Sequence, residues 1–173
     1  IVDYCAGRGT KTRQLAAMHP EASVIASDPD KTRLADLQGL ARQLPNVTAV
    51  HASSLKQVMA GRQADLLLLD VPCSNTGVLA RRPEARYRYS PVSLHSLVDL
   101  QQEIIEAALP LVNPGGHVLY STCSIEQAEN QHQATWLLNQ HAGHKVHESQ
   151  LLPSGSGVSY HDGSYSVLIK VGA

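Results

Sequence analysis

Short apolar runs alternate with longer amphipathic stretches along this chain. Five runs read as buried β-strands, namely Ile1–Cys5, Ser23–Ser27, Val47–Ala52, Asp65–Asp70 and His117–Ser121. Two more strands are predicted near Lys145–Glu148 and Tyr165–Val171. Helices are predicted at Thr10–Met18, Asp30–Leu44, Leu55–Ala60, about Ser93–Val112 and about Glu126–Gln140. The pattern therefore predicts strands and helices in regular alternation.

The helix predicted before the fifth strand has the clearest periodicity. Its apolar residues recur at helical spacing and form one stripe, made of Leu97, Leu100, Ile104, Ile105, Ala108, Leu111 and Val112. Asn113-Pro-Gly-Gly follows, and we expect this stretch to end the helix, because proline cannot continue it and glycine accepts the left-handed turn.

Alternation of this kind is typical of an α/β fold, with a doubly wound, mostly parallel seven-stranded sheet and helices on both faces. Ligands of such sheets bind beyond the carboxyl ends of the strands, at the point where the strand order reverses. The residues that follow each strand are therefore the candidates for function. They include Cys5–Lys11, Asp28, Ser53, Asp70–Cys73 and Thr122–Ser124.

Composition narrows the class of protein further. The 173 residues are 43% hydrophobic and 17% charged, which suits one domain spanning 1–173, and the net charge of −1 indicates no general affinity for polyanions. No apolar run approaches the roughly 20 residues of a membrane span. Three cysteines without dense spacing predict a reducing, cytoplasmic location rather than a disulfide framework. We also expect a monomer.

The loop after the first strand suggests a cofactor site. Its residues Cys5, Ala6, Gly7, Arg8, Gly9, Thr10 and Lys11 lead into a helix, and Asp28 ends the next strand. Glycine lets the backbone approach a ligand closely, and the aspartate could accept hydrogen bonds from ribose hydroxyls. The pair fits a nicotinamide or an adenosylmethionine cofactor, and also a simple tight turn with a helix-capping aspartate. A P-loop is excluded, because Cys5 and Thr10 occupy the two positions where it needs glycine.

Two of the three cysteines stand out by position. Cys73 and Cys123 both follow strands at the functional edge and are flanked by small polar residues, whereas Cys5 is interpreted as packing. A metal site would need more nitrogen or sulfur ligands than these two thiols supply, so no metal is expected. Covalent catalysis by a thiolate is the sharper hypothesis.

The residues around these thiols resemble a known family. Asp70-Val-Pro-Cys-Ser-Asn-Thr-Gly-Val-Leu-Ala-Arg-Arg-Pro-Glu and Tyr120-Ser-Thr-Cys-Ser-Ile-Glu-Gln-Ala-Glu-Asn are similar to signatures of the Sun (Fmu-like) family of RNA cytosine-5 methyltransferases. The first loop resembles that family's Asp-x-Cys-Ala-Ala-Pro-Gly-Gly-Lys-Thr motif, and His161-Asp-Gly also fits. The likeness runs through nearly the whole chain and implies a Rossmann-like methyltransferase domain.

The resemblance also implies a mechanism. Carbon 5 of cytosine is a poor nucleophile until a thiolate adds to carbon 6, and a later step must expel that thiol. By this resemblance Cys123 is the nucleophile, Cys73 assists release, and Asp70 contacts both the base and the cofactor site. The implied cofactor is S-adenosyl-L-methionine. The implied partner is RNA, with ribosomal RNA favoured and tRNA possible.

Some residues depart from the family pattern. Gly7-Arg8-Gly9-Thr10 replaces Ala-Pro-Gly-Gly, and Ser53 stands where the family usually has an acid near the adenine. The chain begins within a strand, so we expect it to be part of a longer polypeptide whose RNA-binding elements lie upstream. Within the chain, the predicted RNA contacts are Arg81, Arg82, Arg86 and Arg88, with a solvated loop as the alternative. A non-catalytic binding module and a nicotinamide-dependent oxidoreductase remain as alternative functions.

Overall fold

A seven-stranded sheet forms the centre of the molecule, with the strand order β3-β2-β1-β4-β5-β7-β6. The structure is a computed structural model and describes residues 1–172. The strands are β1 Val2–Asp3, β2 Val24–Asp28, β3 Val47–His51, β4 Ala64–Asp70, β5 Val112–Thr122, β6 Gly143–Leu151 and β7 Ser164–Val171. The helices are α1 Thr10–Met18, α2 Lys31–Ala41, α3 Leu55–Met59, α4 Ala85–Arg88, α5 Pro91–Ala108 and α6 Gln131–Gln140. The predicted fold class is confirmed.

The direction of the strands places the functional edge. Strands β1 to β5 are mutually parallel, whereas β7 runs antiparallel to both β5 and β6. The chain order reverses between β1 and β4, which are neighbours in the sheet. A crevice therefore opens beyond the carboxyl ends of β1 and β4, where the backbone connections diverge to opposite sides.

The main core lies on one face of the sheet. Leu67, Leu69 and Tyr120 point to this face and pack with Ile105 of α5 and Leu137 of α6, all of them buried. Alternate residues of a strand point to opposite faces, so this set of residues carries the period of two that the strand assignment requires. Among residues 1–172, no helix is both long and apolar enough to cross a lipid bilayer.

Helix α5 differs from its predicted bounds at both ends. It begins at Pro91, because Ser90 forms a reciprocal capping box with Ser93, at 3.1 Å from the Ser93 N–H to the Ser90 Oγ. It ends at Ala108, since Pro110 has no N–H to donate, and a 3₁₀ turn covers Leu109–Leu111. The prediction of a helix as far as Val112 was therefore wrong.

The start of β5 also differs from the prediction. The fifth strand was predicted to begin at His117, after a stretch that ends the helix, yet β5 already begins at Val112. Gly115 has a φ of +77°, which is available to glycine without strain, and the pairing with β4 shifts register between Ala64 and Leu66. The irregularity is thus absorbed within the strand. Three other helices are shorter than predicted, with α2 ending at Ala41, α3 ending at Met59 and α6 beginning at Gln131.

Candidate active site

A cleft of about 750 Å³ lies beyond the carboxyl ends of the parallel strands. Its lining combines residues from five strand ends, namely Cys5 and Gly7 after β1, Asp28 of β2, Ala52 after β3, Asp70 and Cys73 at the end of β4, and Cys123 after β5. The edge predicted to carry function therefore forms one continuous cavity. Cys73 and Cys123 share it with the glycine loop.

The glycine loop has the backbone conformation that its sequence predicts. Gly7 and Gly9 have φ values of +58° and +89°, and Gly9 caps the start of α1. A Cβ at Gly9 would come within 2.6 Å of the Leu40 side chain, so the loop is packed tightly against α2. Only glycine both adopts this positive φ without strain and leaves room for the Leu40 side chain.

Asp28 is held beside this loop by two backbone donors. Its Oδ2 accepts a hydrogen bond from the Gly7 N–H at 3.0 Å, and its Oδ1 accepts one from the Asp30 N–H at 2.8 Å. The Arg33 guanidinium lies 3.7 Å from Oδ2. Although Asp28 is only 2% exposed, its side chain lines the cleft. Each carboxylate oxygen has a second lone pair, so the group can still accept a ligand hydroxyl.

Asp70 is oriented by two side chains from different elements. Its Oδ2 is 2.5 Å from the Lys11 Nζ, and its Oδ1 accepts a hydrogen bond from the Ser121 hydroxyl at 2.9 Å. Lys11 stands in the first turn of α1, so this ion pair joins the glycine loop region to the end of β4. The carboxylate is thereby fixed between the predicted cofactor residues and the two thiols.

All three thiols are free and partly buried. Burial raises the pKa of Cys5 and of Cys73 to about 12, although the N–H groups of Asn75 and Cys123 favour the Cys73 thiolate. Burial also raises the pKa of Cys123 above its usual value of 9.0, as do the charges of Asp70 and Asp162. The cations of Lys11 and Arg82 act in the opposite direction. At neutral pH the free protein therefore holds Cys123 as a thiol.

Backbone contacts join the two cysteine loops directly. The Gly77 N–H donates to the Cys123 carbonyl at 3.0 Å, and the Gly163 N–H donates to the Gly77 carbonyl at 2.7 Å. A Cβ at Gly77 would lie 2.6 Å from the Gly163 oxygen and 2.8 Å from the Cys123 oxygen, both backbone atoms. Gly77 thus permits three chain segments to meet beside the thiols.

The predicted arginines divide into different environments. Arg82 and Arg88 line the cleft with the two cysteines, and Arg86 is exposed on α4. Arg81 instead pairs with Asp162, at 2.8 Å from its Nε to the Asp162 Oδ2. Asp162 lies in the His161-Asp-Gly stretch, so Arg81 ties that stretch to the segment after Cys73.

Six residues predicted at the cofactor site lie outside the cleft lining, namely Ala6, Arg8, Gly9, Thr10, Lys11 and Ser53. Arg8 points to α2, where its Nε is 3.5 Å from Asp36, and Thr10 is exposed at the start of α1. Ser53 faces His51, with 2.8 Å between its Oγ and the His51 Nδ1, and the neighbouring Ala52 reaches the cavity instead. The Ala6 N–H donates a hydrogen bond to the Ser27 carbonyl at 2.9 Å.

Two acidic residues were missed as candidates. Asp3 is fully buried beneath the glycine loop, where its Oδ2 accepts a hydrogen bond from the Thr12 hydroxyl at 2.6 Å and its Oδ1 has no partner. Desolvation raises the pKa of Asp3 to about 6. Glu129 is also fully buried, and it contacts the loop of Cys73. An acid inside an otherwise apolar strand was the available signal for Asp3.

Solved structures with a similar fold indicate the class of protein. The crystal structure of PH0851 covers 98% of this chain with a TM-score of 0.78 and 30% identity, and the chain covers 42% of it. NSun6 from Pyrococcus horikoshii, crystallised with SFG, covers 98% of the chain with a TM-score of 0.79 at 23% identity, and the chain covers 47% of it. The fold is that of the Rossmann-like methyltransferases.

The particular family follows from the sequence comparison. The family model of the 16S rRNA methyltransferase RsmB/F matches residues 1–166, so the chain belongs to this family. Ribosomal RNA small subunit methyltransferase B of Yersinia pseudotuberculosis serotype O:1b (strain IP 31758) is 38% identical over 161 residues, which are 90% of this chain and 36% of that protein. The chain thus spans about a third of the length of this relative. The resemblance seen in the two cysteine motifs is confirmed.

Proposed function

We propose that residues 1–173 form the catalytic domain of an enzyme that transfers a methyl group from S-adenosyl-L-methionine to carbon 5 of a cytosine in RNA, with ribosomal RNA as the favoured substrate. The observation that carries the proposal is the convergence of Cys73, Cys123 and Asp70 with the glycine loop in one cleft. Family membership supports it. Hydride transfer to a nicotinamide does not require two thiols in one cleft, whereas addition to the base and release from it can use both.

The donor site in this proposal is made by the glycine loop and Asp28. S-adenosyl-L-methionine supplies an electrophilic methyl group when it is bound. Asp28 would accept hydrogen bonds from the ribose, as its place on the cleft wall allows. The unpartnered Oδ1 of Asp3, buried below the same loop, is an acceptor suited to an ammonium group. The residues present therefore fit a nucleoside with a charged amino-acid tail.

The acceptor chemistry in this proposal divides between the two thiols. Cys123 attacks carbon 6 of the cytosine as a thiolate, which makes carbon 5 nucleophilic enough to take the methyl group. Asp70 lies between Lys11 and the thiols and would stabilise charge that develops on the base. After transfer, carbon 5 loses its proton and the bond to Cys123 breaks, a step that Cys73 assists. The base must leave its stack to enter the cleft.

The reaction itself is tested by mapping 5-methylcytosine. 5-Methylcytosine resists conversion by bisulfite, whereas unmodified cytosine does not. Bisulfite sequencing of total RNA from cells lacking the gene should therefore show one or more ribosomal cytosines that have lost protection from conversion. Purified protein with radiolabelled S-adenosyl-L-methionine should then restore methylation at the same positions. Protection that is lost only in tRNA would reassign the substrate. Full protection in the deletion strain would leave a non-catalytic binding module as the better function.

Asp28→Ala is expected to weaken binding of S-adenosylhomocysteine. The substitution removes an ionised acceptor from the cleft wall, and hydrogen bonds to charged groups contribute about 1.5–3 kcal/mol. Isothermal titration calorimetry measures the change. Asp36→Ala is the matched control, because Asp36 is a half-exposed aspartate on the neighbouring helix that pairs with Arg8. Binding of a nicotinamide dinucleotide without binding of S-adenosylhomocysteine would contradict the proposed donor site.

Arg82→Glu combined with Arg86→Glu is expected to weaken RNA binding and to make it less dependent on salt. Each lost phosphate contact should lower the slope of log Kd against log salt by about 1. Arg81 is excluded from the test, because it already pairs with Asp162. The double variant Arg13→Glu, Arg42→Glu changes the charge equally on exposed positions of other segments. If the two double variants weaken RNA binding equally, the effect comes from the net charge of the protein and not from specific contacts of Arg82 and Arg86 with RNA.

A further inference from the structure

A network of buried polar side chains lies behind the two cysteines, and the proposed chemistry does not use it. Its members come from α5, β5 and the stretch before α6, and Gln101, Glu129 and Asn130 are each fully buried. No lysine or arginine forms an ion pair with Glu129 in the part of the chain that the structure describes. Burying a carboxylate without a cation is costly unless hydrogen bonds satisfy it. The donors that satisfy Glu129 therefore indicate what it does.

Glu129 holds the loop that carries Cys73. Its Oε1 accepts a hydrogen bond from the Ser74 N–H at 2.9 Å, and its Oε2 accepts one from the Ser74 hydroxyl at 2.5 Å. The Gln101 amide donates both to Glu129 Oε1 at 3.0 Å and to the Pro72 carbonyl at 2.9 Å. Cys73 is thus fixed through both of its chain neighbours. The carboxylate is the point at which these contacts meet.

Asn130, the next residue, holds the loop that carries Cys123. Its Oδ1 accepts a hydrogen bond from the Thr122 hydroxyl at 2.6 Å, and its Nδ2 donates to the Ser124 carbonyl at 2.9 Å. Cys123 lies between those two partners in the chain. The Asn130 side chain therefore contacts the residues on both sides of Cys123, as Glu129 and Gln101 together contact the residues on both sides of Cys73.

A triangle of hydroxyl groups joins the two loops in front of this pair. The Ser74 and Ser124 hydroxyls are 3.1 Å apart, and Thr76 Oγ1 lies 3.3 Å from the first and 3.2 Å from the second. Because Glu129 and Asn130 are consecutive, the backbone between them sets one loop relative to the other. Each of the two side chains contacts only one loop directly, so its loss should disturb the thiol of that loop more than the other.

We infer that Glu129 and Asn130 are positioning residues, one for each thiol: Glu129 places Cys73 for release of the product, and Asn130 places Cys123 for attack on the base. The assignment of steps rests on the proposed function. The placement of the thiols rests only on the contacts described above. Misplacing a reacting group by about 1 Å can cost on the order of 100-fold in rate.

The two residues should fail in opposite ways. With RNA and S-adenosyl-L-methionine present, Glu129→Ala should accumulate a denaturant-resistant complex of protein and RNA, because attack continues while release slows. Asn130→Ala should form that complex more slowly than the wild type. A merely structural role would lower both steps together. Denaturing gel electrophoresis over time separates these results.

A second readout needs no RNA. Alkylation with iodoacetamide followed by mass mapping should show faster labelling of Cys73 in Glu129→Ala and of Cys123 in Asn130→Ala, with Cys5 unchanged as an internal reference. One outcome is that the alkylation pattern agrees with this expectation while no variant, Cys73→Ala included, forms a covalent complex with RNA. That result would overturn the proposed function and leave the positioning of the thiols intact. RNA complexes that form and resolve at wild-type rates in both variants would overturn the positioning instead.

Controls separate positioning from loss of stability. Glu129→Gln keeps an acceptor for the Ser74 and Gln101 N–H groups, so its release rate should lie closer to that of the wild type. Ser74→Ala keeps the N–H bond to Glu129 and loses the hydroxyl contacts with Glu129, Thr76 and Ser124. It should shift in the same direction as Glu129→Ala, which tests the inference if the latter does not fold. Asn46→Ala removes hydrogen bonds to the carbonyls of Ala16, His19 and Ala22, away from the cleft. The same pattern in Asn46→Ala would contradict the inference.

Discussion

Cys73→Ala is expected to leave RNA covalently attached to the protein, whereas Cys123→Ala is expected to abolish methyl transfer with no attachment. The reason is chemical: the nucleophile must form the bond before a second group can help to break it. Cys123→Ala should still bind S-adenosylhomocysteine, because the thiol acts on the base. A denaturing gel with radiolabelled RNA, run beside a methyl-transfer assay, checks both variants.

The double variant and the third cysteine provide the controls. The RNA complex of Cys73→Ala should disappear when Cys123 is also replaced, and Cys5→Ala should not form one. A complex in Cys123→Ala that is lost in Cys73→Ala would mean that the two roles are reversed. Normal turnover in both single variants would remove covalent catalysis from the proposal.

The pH dependence of the reaction follows from the same site. The pKa of Cys123 is raised above its usual value, first by desolvation and then by the charge of Asp70. The fraction of thiolate in the free protein, and with it the rate of alkylation at Cys123, should therefore rise from neutral to alkaline pH. The cations of Lys11 and Arg82 favour the thiolate and so partly oppose this increase in the pKa.

Asp3→Asn is expected to make the protein more stable at neutral pH and less able to bind its methyl donor. Burial raises the pKa of Asp3 from 3.8 to about 6 in the folded state. Stability from the protonated carboxyl is therefore complete below pH 4 and is lost as the pH rises through 6. The shift corresponds to about 3 kcal/mol between these limits. Urea unfolding of the wild type and the variant between pH 4 and 7 measures the difference.

An exposed aspartate provides the control for Asp3. Asp36→Asn should show no such divergence from the wild type, because the Asp36 carboxylate is half exposed. Parallel stability curves for wild type and Asp3→Asn across this pH range would show that the buried carboxyl carries no cost. If Asp3→Asn stabilises the protein at neutral pH but binds S-adenosylhomocysteine as the wild type does, Asp3 takes no part in the donor site.

The local sequence determined the secondary structure, the glycine loop and the positions of the two candidate thiols. The alternation of apolar runs with amphipathic stretches gave the strands and helices, since the side-chain period of two or of 3.6 is a local property. The glycine loop was legible because Gly7 and Gly9 adopt backbone conformations that other residues avoid. Cys73 and Cys123 were found because each directly follows an apolar strand. In a parallel sheet that position alone assigns a residue to the shared edge.

Only the tertiary structure decided which polar side chains meet. Arg81 and Arg82 are neighbours in sequence, yet Arg81 pairs with Asp162 while Arg82 lines the cleft. Glu129 stands in the motif that follows Cys123, but its partners cannot be identified from that motif, because the donors that contact it lie 28 and 55 residues away. Contacts over such separations depend on the packing of α5 and α6 against the sheet. No local propensity specifies that packing, so the sequence showed the two thiols and the fold showed what holds them.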